Sequence, residues 1–453
     1  MSASRLVYTS LLYALLPRAL LHLWWRARRQ PAYLEHVAER FGRYAVRVER
    51  PLIWVHAVSV GETRAAEPLI IALQRKYPQH RILLTHMTPT GRETGAALFG
   101  DGVERCYLPY DFPFAVERFL DHFKPACGVL LETEIWPNLI HACHARGVPI
   151  YLINARLSEK SLRRYAWFST FAAACLTELS GIAAQSIADA DHLHALGALV
   201  VAVTGNLKFD ITPDAALVAQ GTAWRSQWGG ERPVLLCAST REGEETLLLQ
   251  ALRGIDIPGL LILIVPRHPQ RFDEVAALIE REGITCQRRS ANQPVAAGTR
   301  IVLGDSMGEM FAYYAASDVA IIGGSLLPFG AQNLIEACAV GRPVIVGPHA
   351  YNFTEAAQLA IDAGAAIRVE DAGSAIAAAR GLLLDSARAS RMGEAGLAFT
   401  RDHRGATARA VALLRFLSNR STAVAIILEK AIGVPLKGVL KRIYRRLICR
   451  LLG

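Results

Sequence analysis

Three observations predict an α/β protein made of two doubly wound parallel sheets. Short, continuously apolar runs recur along the chain, at 52–55, 128–131, 234–237 and 319–322 among others, and strands buried on both faces require such runs. Nearly every run ends in Gly, Ser, Thr, Asn or Glu and passes into helical periodicity. The 453 residues, 52% of them hydrophobic, suffice for two complete cores, and the alternation restarts after a polar, helix-poor interval at 213–230 that reads as a hinge.

The first 30 residues carry Arg5, Arg18, Arg26, Arg28 and Arg29 without an acid, a charge of +5. Residues 429–453 carry +6, so the +10 total leaves the body between them at −1. Basic ends beside apolar residues suit an anionic membrane surface, and no nucleic-acid partner is expected. Within 6–25 the only polar breaks are Thr9, Ser10, His22 and Arg18. An Arg at the centre of a span costs roughly 2.5–3.5 kcal/mol, so an interfacial or shallow anchor is expected rather than a clean crossing. A helix packed on the body is the alternative. Eight cysteines without a CxxC pair predict reduced, buried thiols and no structural zinc.

In the first half, the strand at 52–58 breaks at Ser59, Gly61 and Glu62, and a helix follows through Ala66, Leu69, Ile70 and Leu73. Glu62 therefore stands in a first helical turn at the carboxyl end of a strand, where open α/β sheets bind ligands. Complementing the helix's positive end, worth ~0.3–1 kcal/mol, is the plain alternative. The strand at 81–85 runs into Thr88-Pro89-Thr90-Gly91, the strand at 128–131 into Glu132, Thr133 and Glu134, and the strand at 149–153 into Asn154 and Arg156. One sheet edge is thus lined with polar groups.

The second half repeats the scheme. Strands at 260–265, 301–303 and 319–322 lead into Pro266-Arg267-His268, Gly304 through Met310, and Gly323-Gly324-Ser325. The glycine turns at 304–310 and 330–336 offer backbone N–H groups to a phosphate, though neither is a Walker A or a GxGxxG sequence. Asn333 and Glu336 fall on one side of a helix, where Glu336 can accept from ribose hydroxyls or simply cap. One phosphate with Arg267 and His268 suits a nucleoside monophosphate sugar. No strand-end DxD suggests a metal. Asp189-Ala190-Asp191 with His192 and His194 reads as a solvated helix face, so no metal or cofactor is expected. Two such halves facing across a cleft form the GT-B glycosyltransferase architecture.

Eleven segments then carry a specific likeness: VHAVSVGET (55–63), MTPTG (87–91), LETEIWPNLI (131–140), INARLS (153–158), TGNLKFD (204–210), STREGEE (239–245), VPRHP (265–269), GDSMGEM (304–310), GGSL (323–326), QNLIEA (332–337) and VGPHAYNF (346–353). In this order they resemble the 3-deoxy-D-manno-octulosonic acid (Kdo) transferases of lipopolysaccharide synthesis. The resemblance implies an inverting GT-B enzyme that moves Kdo from CMP-Kdo to a lipid A precursor at the cytoplasmic face of the inner membrane. It further implies Glu62 as proton acceptor, and Glu132 and Lys208 as transition-state stabilisers. The CMP-binding positions it implies are Pro266, Arg267, Gly308, Glu309, Met310, Asn333, Leu334, Ile335 and Glu336. A UDP-sugar transferase and a non-catalytic membrane-surface binding protein are the alternatives. Gln332 stands where the family often has His, and the tail from about 421 has no counterpart in the pattern. The expected divisions are an N-terminal membrane segment 1–30, an acceptor domain 31–212, a donor domain 213–420 and a basic amphipathic extension 421–453.

Overall fold

The structure, a computed structural model, describes residues 3–28, 30–46 and 51–414, so the expected extension 421–453 and Cys449 lie outside the described residues. The chain divides into two compact units, Met1–Leu207 with Gly405–Gly453, and Lys208–Arg404. Each contains a seven-stranded, wholly parallel sheet with a separate apolar cluster on either face.

In the first unit the helices are α1 (Ala3–Ala27), α2 (Val60–Lys76), α3 (Pro89–Phe99), α4 (Pro113–Phe123), α5 (Pro137–Ala145), α6 (Glu159–Ala166), α7 (Ser169–Thr177) and α8 (Ile187–Ala195). The strands are β1 (Leu52–His56), β2 (Arg81–His86), β3 (Glu104–Tyr107), β4 (Cys127–Leu131), β5 (Ile150–Ala155), β6 (Gly181–Ala184) and β7 (Val201–Val203), in the order β3-β2-β1-β4-β5-β6-β7. The order reverses between β1 and β4, whose register sets His56 against Leu130. Residues just beyond these two strands therefore share one crevice. Gly128 makes the pairing possible, because a Cβ there would lie 2.6 Å from the buried Trp54 ring. Thr88 caps α3 by accepting from Gly91 N at 3.2 Å with Pro89 at the first helical position, which accounts for the TPTG spelling.

The second unit holds α9 (Ala215–Trp228), α10 (Glu244–Leu252), α11 (Phe272–Arg281), α12 (Met310–Ala316), α13 (Ile335–Ala339), α14 (Thr354–Asp362), α15 (Ala372–Leu384) and α16 (Ser386–Asp402). Its strands are β8 (Val234–Thr240), β9 (Leu261–Pro266), β10 (Cys286–Arg288), β11 (Ile301–Leu303), β12 (Val319–Ile322), β13 (Val344–Val346) and β14 (Ala366–Arg368), ordered β10-β11-β9-β8-β12-β13-β14, with the reversal between β8 and β12.

Two expectations change. The interval 213–230 is no hinge: most of it is α9, which Asp214 caps by accepting from Ala216 N at 2.8 Å. Gly221 lets α9 lie against α12, since a Cβ there would run into the Ala312 carbonyl. The second unit also starts at Lys208 and stops at Arg404 rather than spanning 213–420. The chain then returns to the first unit as α17 (Ala406–Leu413), whose Ala406, Ala410 and Val411 complete the apolar cluster containing Leu69, Leu73 and Leu207. Among the described cysteines all are free thiols, buried except for the half-buried Cys286.

Candidate active site

In the first unit the predicted carboxylates converge. Glu62 opens α2, and its side chain folds back onto its own turn, where Oε2 accepts from Val58 N at 2.9 Å and Oε1 from Ser59 Oγ at 3.1 Å. Both donors come from the loop between β1 and α2, so the VSVGE spelling fixes the carboxyl group's direction. Burial pushes the Glu62 carboxyl up to about 7, aided by the negative charges of Glu132 and Glu134 and opposed by its two hydrogen bonds.

Glu132 and Glu134 follow β4. Glu132 is buried at a left-handed backbone position, φ 56°, and its Oε2 is paired with Arg156 Nε at 3.3 Å. Arg156 lies just past β5, so neighbouring strands deliver the anion and its partner. Glu134 Oε2 accepts from Trp136 Nε1 at 2.8 Å, and burial raises its carboxyl. Below it sits His56, wholly buried and ring-edge to Trp136, with Nδ1 2.9 Å from Thr85 Oγ1. Burial, then the neighbouring His86, lowers His56 to about 3, which keeps it neutral. Its Nε2 makes no hydrogen bond and stands 3.9 Å from Glu134 Oε2. A strand-end Glu is readable in sequence; His56 and Arg156 acquire their places only through strand neighbours.

In the second unit the predicted residues gather around the β8/β12 reversal. Arg267 N donates to Thr240 O, and Arg267 Nε donates to Gln332 Oε1 at 3.0 Å, so Gln332 aims the guanidinium. Asn333 Nδ2 donates to Glu336 Oε1 at 3.2 Å, while Asn333 Oδ1 accepts from Ile335 N. Leu334 and Ile335 are wholly buried, main chain included. Gly308 takes a left-handed conformation, φ 83°, ahead of α12. Glu309 is held by Gln220 Nε2 and Arg289 Nη2, both at 3.0 Å, and by the Ser306 hydroxyl. Met310 Sδ lies 3.8 Å from Ser239 Oγ, Pro266 ends β9, and the ammonium of Lys208 sits 5.1 Å from the centre of the Phe353 ring.

The STREGEE segment had no assigned job, and the structure gives it one. Glu244 is buried and accepts from the backbone N–H of Arg241, Gly324 and Leu326, which ties the loop after β8 to the turn after β12. Glu245 forms a two-pronged pair with Arg271 at 2.8 and 3.0 Å and accepts from Thr240 Oγ1 at 2.7 Å. Three of the seven described non-glycine residues with positive φ, Glu132, Asn154 and Ser239, lie at these strand ends, where backbone strain commonly marks function.

Asp189 and His192 serve another purpose. Asp189 Oδ1 accepts from Leu157 N at 2.7 Å and His192 Nδ1 lies 2.6 Å from Leu157 O, so the two clamp the chain entering α6.

A family model described as 3-Deoxy-D-manno-octulosonic-acid transferase (kdotransferase) matches residues 35–211. The chain is 48% identical over 419 residues to the 3-deoxy-D-manno-octulosonic acid transferase of Bordetella pertussis, covering 89% of this chain and 97% of that protein. It belongs to the Kdo transferase family. The Haemophilus influenzae member is 38% identical over 418 residues, covering 91% of this chain and 98% of its own. A glycosyltransferase structure from Rickettsia africae superposes with a TM-score of 0.55 at 15% identity, covering 82% of this chain and all of that one, a likeness of fold. The chain is thus a glycosyltransferase with a two-domain α/β fold of the GT-B kind. The carboxylates around Glu62 lie within the segment that the family model matches.

Proposed function

We propose that this Kdo transferase carries Kdo from CMP-Kdo to a hydroxyl of a lipid A precursor, with Glu62 as the base. The observation that supports it most is the Glu62 carboxyl, half-buried, aimed by two donors and poised at about 7. A base whose affinity for a proton lies near the working pH combines ionisation with driving force. The acceptor's O–H proton passes to Glu62, the oxygen bonds to the anomeric carbon of Kdo on the face opposite the nucleotide, and the C–O bond to CMP breaks with its electrons leaving on the phosphate.

Glu132 and Lys208 are assigned to charge stabilisation at the reacting centre, Glu132 acting with its Arg156 partner. Arg267, aimed by Gln332, together with the backbone of 308–310, is assigned to the phosphate, and Asn333 and Glu336 to the ribose. No metal, cofactor or nucleic acid takes part in this reading. The first 30 residues hold the enzyme to anionic lipid on the cytoplasmic face of a bacterial inner membrane; α1 is long and apolar enough to cross a membrane by length and composition.

The test uses the full chain with CMP-Kdo and a tetraacylated lipid A precursor, with product read by mass. Glu62→Gln and Glu62→Ala should each lower kcat by about 10²–10⁴-fold. Retained turnover in both would remove Glu62 from the role. Inhibition by UDP rather than CMP would replace the donor.

A further inference from the structure

We propose that the tip between α6 and α7 is a second membrane-docking element, which enters an anionic bilayer beside α1. This rests on the membrane reading above and extends it to a part of the chain with no apolar span. Trp167 is 87% exposed and Phe168 69% exposed, side by side at the turn. α6, which leads up to them, buries no residue, and it carries Lys160, Arg163 and Arg164, all exposed. Its one acid, Glu159, is already paired with Arg163. Two adjacent aromatic side chains left in water, flanked by three basic ones, match the acyl-headgroup boundary of an anionic leaflet in both polarity and charge.

The tip is continuous with α1. The Tyr8 ring packs on Phe171 in the first turn of α7 at 5.6 Å, and Arg5 pairs with Glu178 just past the end of α7 at 3.1 Å. Tyr8 OH also donates to Asp111 Oδ2 at 3.0 Å, and Thr9 Oγ1 to Asn138 Oδ1 at 3.2 Å. These bonds turn the polar side of α1 towards the unit and leave Leu6, Val7 and Leu11 exposed.

Function gives the placement its point. α6 begins three residues after Arg156, the partner of Glu132, at the carboxyl edge of the first sheet that also presents Glu62. An alcohol borne by a lipid reaches that edge only if the bilayer lies close to it.

The experiment is flotation of the purified full chain with phosphatidylethanolamine/phosphatidylglycerol vesicles and with phosphatidylcholine vesicles. Trp167→Ser/Phe168→Ser should reduce partitioning into the anionic vesicles by about tenfold or more. Lys160→Gln/Arg163→Gln/Arg164→Gln should abolish the preference for anionic over zwitterionic lipid. Turnover on detergent-dispersed acceptor should stay at the parent level in both variants, which separates this inference from the assignment of the reaction. Unchanged flotation of the aromatic variant overturns the proposal. So does loss of a dimer in sedimentation with flotation intact, since the tip would then bind a second copy.

Discussion

At the scale of single residues, the chemistry depends on how three neighbouring carboxylates, one of them paired with an arginine, share little solvent. Arg156 offsets Glu132, while Glu134 has the Trp136 N–H and the neutral His56 beside it. Glu134 therefore acts on Glu62 through space and helps to hold its proton. Replacing Glu134 by Gln keeps an acceptor for Trp136 but removes the charge. The acidic limb of the kcat/KM pH profile should move to lower pH, towards the ordinary carboxyl range; a limb that stays in place would show that burial and Glu132 set it without Glu134. Stability follows the same proton with the opposite sense. Because the fold binds it more tightly than the unfolded chain does, the contribution of Glu62 is complete below the ordinary value of 4.5 and is lost as pH rises through about 7. Urea unfolding should find Glu62→Gln gaining on the parent as pH is raised across that window, and an unchanging difference would contradict the assignment.

At the scale of elements, what was legible is what repeats. Apolar runs such as 52–55 and 319–322 declared their strands because burial on both faces leaves no alternative pattern, and the Gly and Glu residues after them declared the sheet edge. The three-residue edge strands β10 and β14 were not visible, being too short to show a period, and α9 was masked by its mixed composition. Ligand-side residues and scaffold residues also look alike in sequence: Glu244 and Glu245 resemble exposed first-turn acids, yet they are the buried ties of the second unit. Glu245→Ala would leave the Arg271 guanidinium buried without its main anion, although Glu274 Oε1 remains 3.3 Å away. Breaking one partner of a buried pair costs about 3–5 kcal/mol, so a large drop in the urea midpoint of the second unit is expected. A change near that of a surface pair, ~0–1 kcal/mol, would mean that water reaches the guanidinium.

At the scale of the whole molecule, the chain order carries a consequence that a pattern of strands and turns does not reveal. Sequence reading stops each domain where composition changes, and nothing in the alanine-rich stretch 406–413 says which sheet it will cover. The structure spends it on the first unit: α17 lies against α2, Lys76 Nζ donates to Val411 O at 3.2 Å, and Arg409 Nε donates to Thr204 O at 2.8 Å. The first unit is therefore closed by residues synthesised after the whole of the second, and its core stays open until they arrive. Ala410 is fully buried there, and Ala410→Asp would place an unpaired carboxylate among Leu69, Leu73 and Ile153. A buried charge with no partner costs several kcal/mol, so calorimetry of the full chain should show the transition of the first unit moving down while that of the second holds its position. Trp54 belongs to the first sheet, and Trp224 and Trp228 to α9 of the second unit, so replacing Trp224 and Trp228 by Phe makes fluorescence a more selective monitor of the first unit. Equal shifts of both transitions would mean that the two units unfold as one, and that the return of the chain binds them into a single cooperative body.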